Sequence, residues 1–379
     1  MRIVTWNIEW LDHSWGVLEG RYTAGKRRSN RTLPSLAKAK LHVDAVVAEL
    51  EALSADVFQL CEAPAGESAM HSFVASRLPG YELVTRAAGS PYETTGDQWI
   101  WFLVKKSLFA AWQPSLLDIA TWRSFASLAS PSIAVNGRWG VSLPRLTKVG
   151  EIKDVPVATR VSHKFARHPQ TLRLLIDGMP LELIGAHLKS KFTGSTPRKR
   201  KPDEPFDQYA KEPRVARYLA DSHAARIKLS SEALNLRAYI DHRFSQDADP
   251  AVIVLGDLND GPGKELMERE YLVHDLISNL QGDVFFARRF LNHALFDQPQ
   301  ELRWTARFND ALEPNRDPHI LLDHILLTQS LTRRGTFPLW AAPSAGKVEH
   351  RVHEEIEAAY GTGVASDHRP VSLTLTPRT

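Results

Sequence analysis

Apolar positions fall into runs and periods along the chain. Arg2 to Asn7 reads as a short strand. Over residues 38–54, Val43, Val46, Val47, Leu50 and Leu53 recur at i, i+3, i+4, i+7 and i+10, the spacing of one helix face. Asp56 to Leu60 predicts a second strand that ends at Cys61-Glu62. Met70, Phe73, Val74 and Leu78 predict a helix closed by Pro79-Gly80. Strands follow at Tyr81–Thr85 and Trp99–Lys105. Residues 106–155 show weak periodicity and predict no element. Beyond them come strands at 157–163, Thr171–Ile176 and Leu181–His187, with Asp177-Gly178 as a hairpin turn. Residues 190–213 read as a loop or insertion. Leu229, Ala233, Leu236 and Ile240 mark a helix, and Ala251 to Leu255 is an apolar, β-branched run that fits a buried strand. Ile320–Leu327 and Arg369–Leu375 complete the strands.

Composition narrows the class. The chain has 379 residues, 43% hydrophobic and 24% charged, an ordinary globular balance that excludes disordered and fibrous types. One cysteine, Cys61, excludes an internal disulfide framework and a Cys-rich zinc site. No apolar run approaches the ~20 residues of a membrane span, and Met1 to Asn7 lacks the apolar stretch of a secretory signal, so a cytoplasmic location and no membrane partner are expected. The formal charge is only +3, but the positive residues cluster. Arg21, Lys26, Arg27, Arg28 and Arg31 crowd one stretch, and Arg198-Lys199-Arg200-Lys201 form an unbroken run. Such clusters attract phosphates or are simply solvated loops.

The chemistry-bearing residues gather at predicted strand ends. Gly256-Asp257-Leu258-Asn259-Asp260 follows the buried strand directly, and Asp257 and Asn259, two apart, share a face if the strand continues. Asn7 and Glu9 repeat that spacing after the first strand. Glu62 ends the next strand, and His187 ends another, followed by Lys189 and Ser190. Asp323-His324 lies in an apolar strand, where a carboxylate needs a partner. Ser366-Asp367-His368-Arg369-Pro370 sets a carboxylate beside an imidazole before the last strand. Each alone is more often a cap, a turn or a satisfied core polar group. Together they mark the strand ends where open-sheet sites form.

Trp6-Asn7-Ile8-Glu9, Gln59-Leu60-Cys61-Glu62, Ala186-His187-Leu188, Gly256-Asp257-Leu258-Asn259, Leu322-Asp323-His324-Ile325 and Ser366-Asp367-His368-Arg369-Pro370 resemble, in order, the motif series of the endonuclease/exonuclease/phosphatase superfamily. The resemblance runs from residue 6 to residue 370. It implies the family's fold, a four-layer α/β sandwich of two packed mixed β-sheets flanked by helices. The whole chain, 1–379, would then be one catalytic domain with insertions near 11–40, 106–155 and 190–213. By the same resemblance Glu62 would ligate a divalent cation, with Asn7 and Asp367 completing or bordering the shell and Glu9 as a further carboxylate. Asp257 and Asn259 would position or activate water, His187 and His368 would contact the scissile phosphate, and Asp323 would hold His368. Cys61 stands where the family more often has Gln.

Asp, Glu and Asn donors suit Mg²⁺ or Mn²⁺, as one or two ions, better than zinc. In-line hydrolysis of a phosphoester also needs what such a cation supplies. Among substrates, the His187-Leu188-Lys189-Ser190-Lys191 segment, together with the helix carrying Arg226 and Glu232, resembles a bacterial nuclease-like branch. The basic loops also suit a polyanion. The expected activity is therefore a nuclease, DNA ahead of RNA, acting as a monomer, with Lys189 and Arg198 to Lys201 on the substrate. Trp15, Trp112, Trp122 and Trp139 in the insertions are either stacking platforms for bases or core. The alternatives are a phosphatase or phosphodiesterase for a small or lipid-linked phosphate ester and, less favoured, an inactive nucleic-acid-binding member.

Overall fold

A computed structural model describes residues 1–378, except 131–132, 134–135, 150–151, 192, 195–196, 261–274, 310–311 and 314. Its described residues include two six-stranded sheets. The first runs in the order Leu339–Val348, Val371–Pro377, Arg2–Asn7, Val57–Ala63, Trp99–Lys105, Tyr81–Leu83. The second runs Asn292–His293, Asp323–Leu327, Ala251–Asp257, Met179–His187, Gln170–Ile176, Ser115–Leu116. Both are mixed. Arg2–Asn7 lies parallel to Val57–Ala63, Met179–His187 lies parallel to Ala251–Asp257, and their other pairings are antiparallel. A parallel pair needs a crossover, and helices supply it. Leu11–Leu18 and Leu36–Leu53 lie between the first pair, and Pro213–Gln246 between the second.

Period-two alternation explains the layers. Ile3 and Val57 face the second sheet, while Val4, Trp6, Phe58 and Leu60 face helices. Ile253 and Leu255 meet the first sheet, while Val252 and Val254 face the Pro213–Gln246 and Ile119–Ala129 helices. Helices Leu36–Leu53, Glu67–Arg77 and His350–Tyr360 pack on the first sheet's outer face. The result is helix, sheet, sheet, helix, the predicted sandwich. Among the described residues no helix is long and apolar enough to cross a membrane.

Several local expectations change. The helix read at 38–54 spans Leu36–Leu53, because Ser35 accepts from Lys38 N at 3.3 Å and starts it earlier. The Ile320–Leu327 strand is two pieces: His319–Ile320 pairs with Ala306–Arg307, and Asp323–Leu327 pairs with Ala251–Asp257. Residues 106–155 include helices Lys106–Trp112 and Ile119–Ala129 and most of a ribbon, Trp139–Val149 with Ile152–His163, that belongs to neither large sheet. Three of the four tryptophans are core rather than base platforms, and the fourth is half-buried. Trp15, Trp122 and Trp139 are buried, Trp122 lies flat on Tyr239 at 5.3 Å, and Trp112 packs against the inter-sheet cluster.

Candidate active site

The C-terminal ends of both parallel pairs open on the same side, and that edge carries the predicted site residues. Pairing sets them level: Asn7 opposite Cys61, His187 opposite Asp257, and Asp257 opposite Asp323. Two of these ends stop in the same way: Asn7 Oδ1 accepts from Glu9 N at 3.1 Å and Asp257 Oδ1 from Asn259 N at 2.9 Å, so each side chain turns its own backbone out of the strand. Ser366 Oγ accepts from His368 N at 3.0 Å and makes the same turn in the loop before Val371–Pro377. For this reason the shared-face expectation for Asp257 and Asn259 does not hold. The strand ends at Asp257, Asn259 takes φ 54°, and its Nδ2 donates to Leu188 O at 3.0 Å.

Glu62 is aimed by a bulge. Leu60 pairs with Trp101 and Ala63 with Trp99, so Cys61 and Glu62 together face Ile100. Glu62 has φ 60°, and Glu9, Trp10 and Asn259 are also left-handed (φ 37°, 53° and 54°). Non-glycine residues held there are strained, and such strain clusters at functional sites. Gly256, at φ 136°, has no room for a side chain: a Cβ would lie 1.9 Å from Ala186 O. This contact keeps Ala251–Asp257 tight against Met179–His187.

The side chains converge. Asn7 Nδ2 donates to Asp257 Oδ2 at 2.9 Å and to Glu62 Oε1 at 3.3 Å, tying the two sheets together. Gln98 Nε2 donates to Glu62 Oε1 at 2.6 Å and Trp10 N to Glu62 Oε2 at 3.0 Å. His187 Nε2 lies 3.4 Å from Asp257 Oδ2 and 3.9 Å from Glu62 Oε1. His368 Nδ1 and Asp323 Oδ2 are 2.7 Å apart, and His368 Nε2 lies 4.0 Å from Asp367 Oδ1. All of these except Asp367, Gln98 and Trp10 are buried. Asp367 is exposed at the rim, where its N–H donates to Glu9 Oε2 at 3.1 Å and Arg31 lies 3.4 Å from Glu9 Oε1.

Burial and charge set the protonation states apart. Burial raises Glu62 above the ordinary carboxylate range, and burial with the nearby Asp323 charge raises Asp257 to about 6. Burial, reinforced by the Arg167 charge, holds His187 neutral, well below its usual value. Burial alone would also lower His368. The charge and hydrogen bond of Asp323, helped by Asp257 and Asp367, outweigh it and keep His368 an imidazolium. Burial raises the Cys61 thiol, whose Sγ faces Ala186 O at 3.6 Å, so it is passive.

These residues fit a hard divalent cation. Asp257, Asp323 and His368 each offer one ligand atom within 4.8 Å of the others, and among the described residues Asp323 Oδ1 and His187 Nδ1 are buried without a hydrogen-bond partner. An imidazolium has no free lone pair, so within this group the oxygens of Asp257 and Asp323 are what remain for an ion, with Glu62 beside them on the same Asn7 amide.

The substrate-side expectations fall less close. Lys189 Nζ donates to Ser190 O at 2.5 Å, and Lys189 N donates to Glu232 Oε2 at 2.7 Å. Arg198 is held by Glu204 at 2.5 Å and Glu212 at 2.7 Å and lies over Tyr209, whereas Lys199 and Lys201 are exposed. Sequence reasoning missed Gln98 and Arg167. A signal existed for Gln98: the strand it precedes runs antiparallel to Val57–Ala63, so the start of one lies beside the end of the other. Arg167, in a loop without periodicity, had none.

No protein-family model matches the chain, and no curated protein matches it. Among solved structures it is similar to TDP2 from C. elegans, at 13% identity and TM-score 0.48 over 99% of this chain and 74% of that one. D. rerio TDP2 complexed with a single-strand DNA product gives 12% and 0.45 over 99% and 98%. An endonuclease/exonuclease/phosphatase family protein from Bacteroides thetaiotaomicron gives 12% and 0.42 over 100% and 98%. The similar solved structures thus include members of the family that the chain's motif series resembles.

Proposed function

We propose that this chain is a divalent-cation-dependent phosphoric diester hydrolase of the endonuclease/exonuclease/phosphatase superfamily, and that it is a nuclease with DNA ahead of RNA as substrate. The observation that carries the reading is the pairing of an imidazolium, His368 on Asp323 at 2.7 Å, with the buried acids Asp257 and Glu62 where the ends of the two sheets meet. This combination serves hydrolysis of an anionic ester. Glu62, with Asn7 and Asp367 beside it and Glu9 beyond, would hold Mg²⁺ or Mn²⁺. When bound, the cation supplies Lewis acidity and charge neutralisation.

The chain's own groups do the rest. Asp257, raised to about 6, takes a proton from the attacking water as that oxygen bonds to phosphorus and the P–O bond to the leaving oxygen breaks, the leaving alkoxide taking its proton from solvent. The imidazolium of His368 offers Nε2–H to the charge growing on the phosphoryl oxygens. His187, neutral, adds a second ring to the same pocket. Nucleic acid is favoured over a small ester by the exposed cations of the Lys199 and Lys201 loop.

The test is hydrolysis of supercoiled plasmid, single-stranded DNA, RNA, bis-p-nitrophenyl phosphate and p-nitrophenyl phosphate, each with Mg²⁺, Mn²⁺ or EDTA. Cation-dependent cutting of the nucleic acids is expected. Cleavage of the monoester with the nucleic acids untouched would move the chain to the phosphatases.

A further inference from the structure

Two residues outside the motif series connect the acid at the end of one sheet to the backbone at the end of the other. Arg167 lies in the loop between Ile152–His163 and Gln170–Ile176, and its guanidinium uses three donors. Nε donates to His187 O at 3.0 Å, Nη2 to Leu188 O at 2.7 Å and Nη1 to Gln98 Oε1 at 2.5 Å. With its oxygen held, the Gln98 amide turns its nitrogen to Glu62 Oε1 at 2.6 Å. The loop carrying Gln98 is fixed in turn: the neighbouring Asp97 is held by Arg28 at 2.6 Å, Ser29 at 3.0 Å and His13 at 3.2 Å.

We propose that Arg167 and Gln98 are positioning residues that act as a relay, setting the orientation of Glu62 for cation binding relative to His187. This deepens the reading above and rests on it. The relay needs these residue types. An amide accepts on one atom and donates on another in one plane, whereas a carboxylate at 98 would satisfy Arg167 but not Glu62. A lysine at 167 brings charge without the fork that reaches two carbonyls and an amide together. The bulge at Cys61-Glu62 leaves Glu62 strained at φ 60°, so its carboxylate direction depends on the groups that hold it: Asn7, Trp10 N and Gln98.

The experiment measures Mn²⁺ affinity by paramagnetic resonance or calorimetry, without substrate, for the full chain and its Gln98→Met, Arg167→Met and doubly substituted variants. Partners that orient metal ligands typically contribute ~10–100-fold in affinity. Each single variant should therefore bind Mn²⁺ ~10–100-fold more weakly. The double variant should lose no more than the weaker single, because Arg167 works through Gln98. A residue that only ties strand ends would lower the melting temperature and leave Mn²⁺ affinity unchanged. If Arg167→Met does not fold, Gln98→Met and Gln98→Ala, in a half-buried loop position, decide by their affinity alone. Unchanged affinity in the variants, or losses that multiply in the double variant, overturns the relay while leaving the hydrolase reading intact. A wild-type chain that binds no Mn²⁺ overturns that reading and the relay with it.

Discussion

Asn7 and Asp257 belong to different sheets, and a single hydrogen bond, Asn7 Nδ2 to Asp257 Oδ2 at 2.9 Å, joins them at the edge where the candidate site lies. The same amide nitrogen donates to Glu62, and its oxygen receives Glu9 N, so one side chain fixes three neighbours. Asn7→Ala leaves two buried carboxylates without their common donor. Denaturant titration should show a loss of ~1–3 kcal/mol, the usual cost of an unsatisfied buried group. Because the Asn7 bond lowers Asp257, its pKa should move further up from about 6.

The Asp323–His368 pair predicts a protonation state. The pair raises the folded pKa of His368 above its unfolded value. Its stabilisation is therefore complete below about 6.5 and lost as pH rises through the folded value. Ring-nitrogen resonances should report an imidazolium at pH 7 in the wild type. In Asp323→Asn the ring should be neutral at pH 8, hydrolysis should fall, and stability near pH 6 should drop by ~3 kcal/mol, as for other broken buried pairs. An unchanged ring titration would remove the charged His368 from the mechanism.

What could be read from sequence, and what could not, divides by the range of the interaction. The strand end at Asp257 was legible because Ala251–Gly256 is apolar until the first polar residue marks the edge, whereas Asn7, Glu62 and His187 close largely apolar runs that also bury Thr5, Gln59 and Glu182. Asp177-Gly178 was legible because its turn needs two left-handed residues, and these take φ 51° and 79°. Of the Trp139–Val149 and Ile152–His163 ribbon, only the strand read at 157–163 was legible, and the rest was hidden. It carries Pro144 and Pro156 within its pairing and joins no sheet whose buried face would impose alternation. Arg167 and Gln98 meet across 69 residues, a contact that no local pattern encodes.

His168 predicts an acid sensitivity away from the site. Burial lowers it to about 3, and its Nδ1–H donates to Pro169 O at 2.9 Å while Nε2 has no hydrogen-bond partner among the described residues. The folded state binds this proton less readily than the unfolded state, so stability is lost as pH falls from about 6.5 toward 3. His168→Asn keeps a donor for Pro169 and removes the titration. Urea midpoints measured from pH 7 to pH 4 should fall less steeply in the variant, by up to ~1.4 kcal/mol per pH unit. Parallel curves would show that His168 is not held neutral.

Within the basic run the arginines are held in the loop, Arg200 over the Phe206 ring, and the lysines are open to solvent. Arg198 is engaged by Glu204 and Glu212, while Lys199 and Lys201 face solvent. Lys199→Ser with Lys201→Ser should weaken DNA binding and reduce the slope of log affinity against log salt by ~1.8, about 0.9 for each lost phosphate contact on duplex DNA. An unaltered slope would make this loop merely solvated.

The most direct test of the account is plasmid nicking and Mn²⁺ binding measured side by side for the wild type and Glu62→Gln. Glu62 sits at the centre of the hydrogen bonds from Asn7, Gln98 and Trp10, and its isosteric amide removes the charge with little change of shape. The account predicts cation-dependent nicking by the wild type and loss of both nicking and Mn²⁺ affinity in Glu62→Gln, with the melting temperature retained. Wild-type rates and affinity in Glu62→Gln would contradict it.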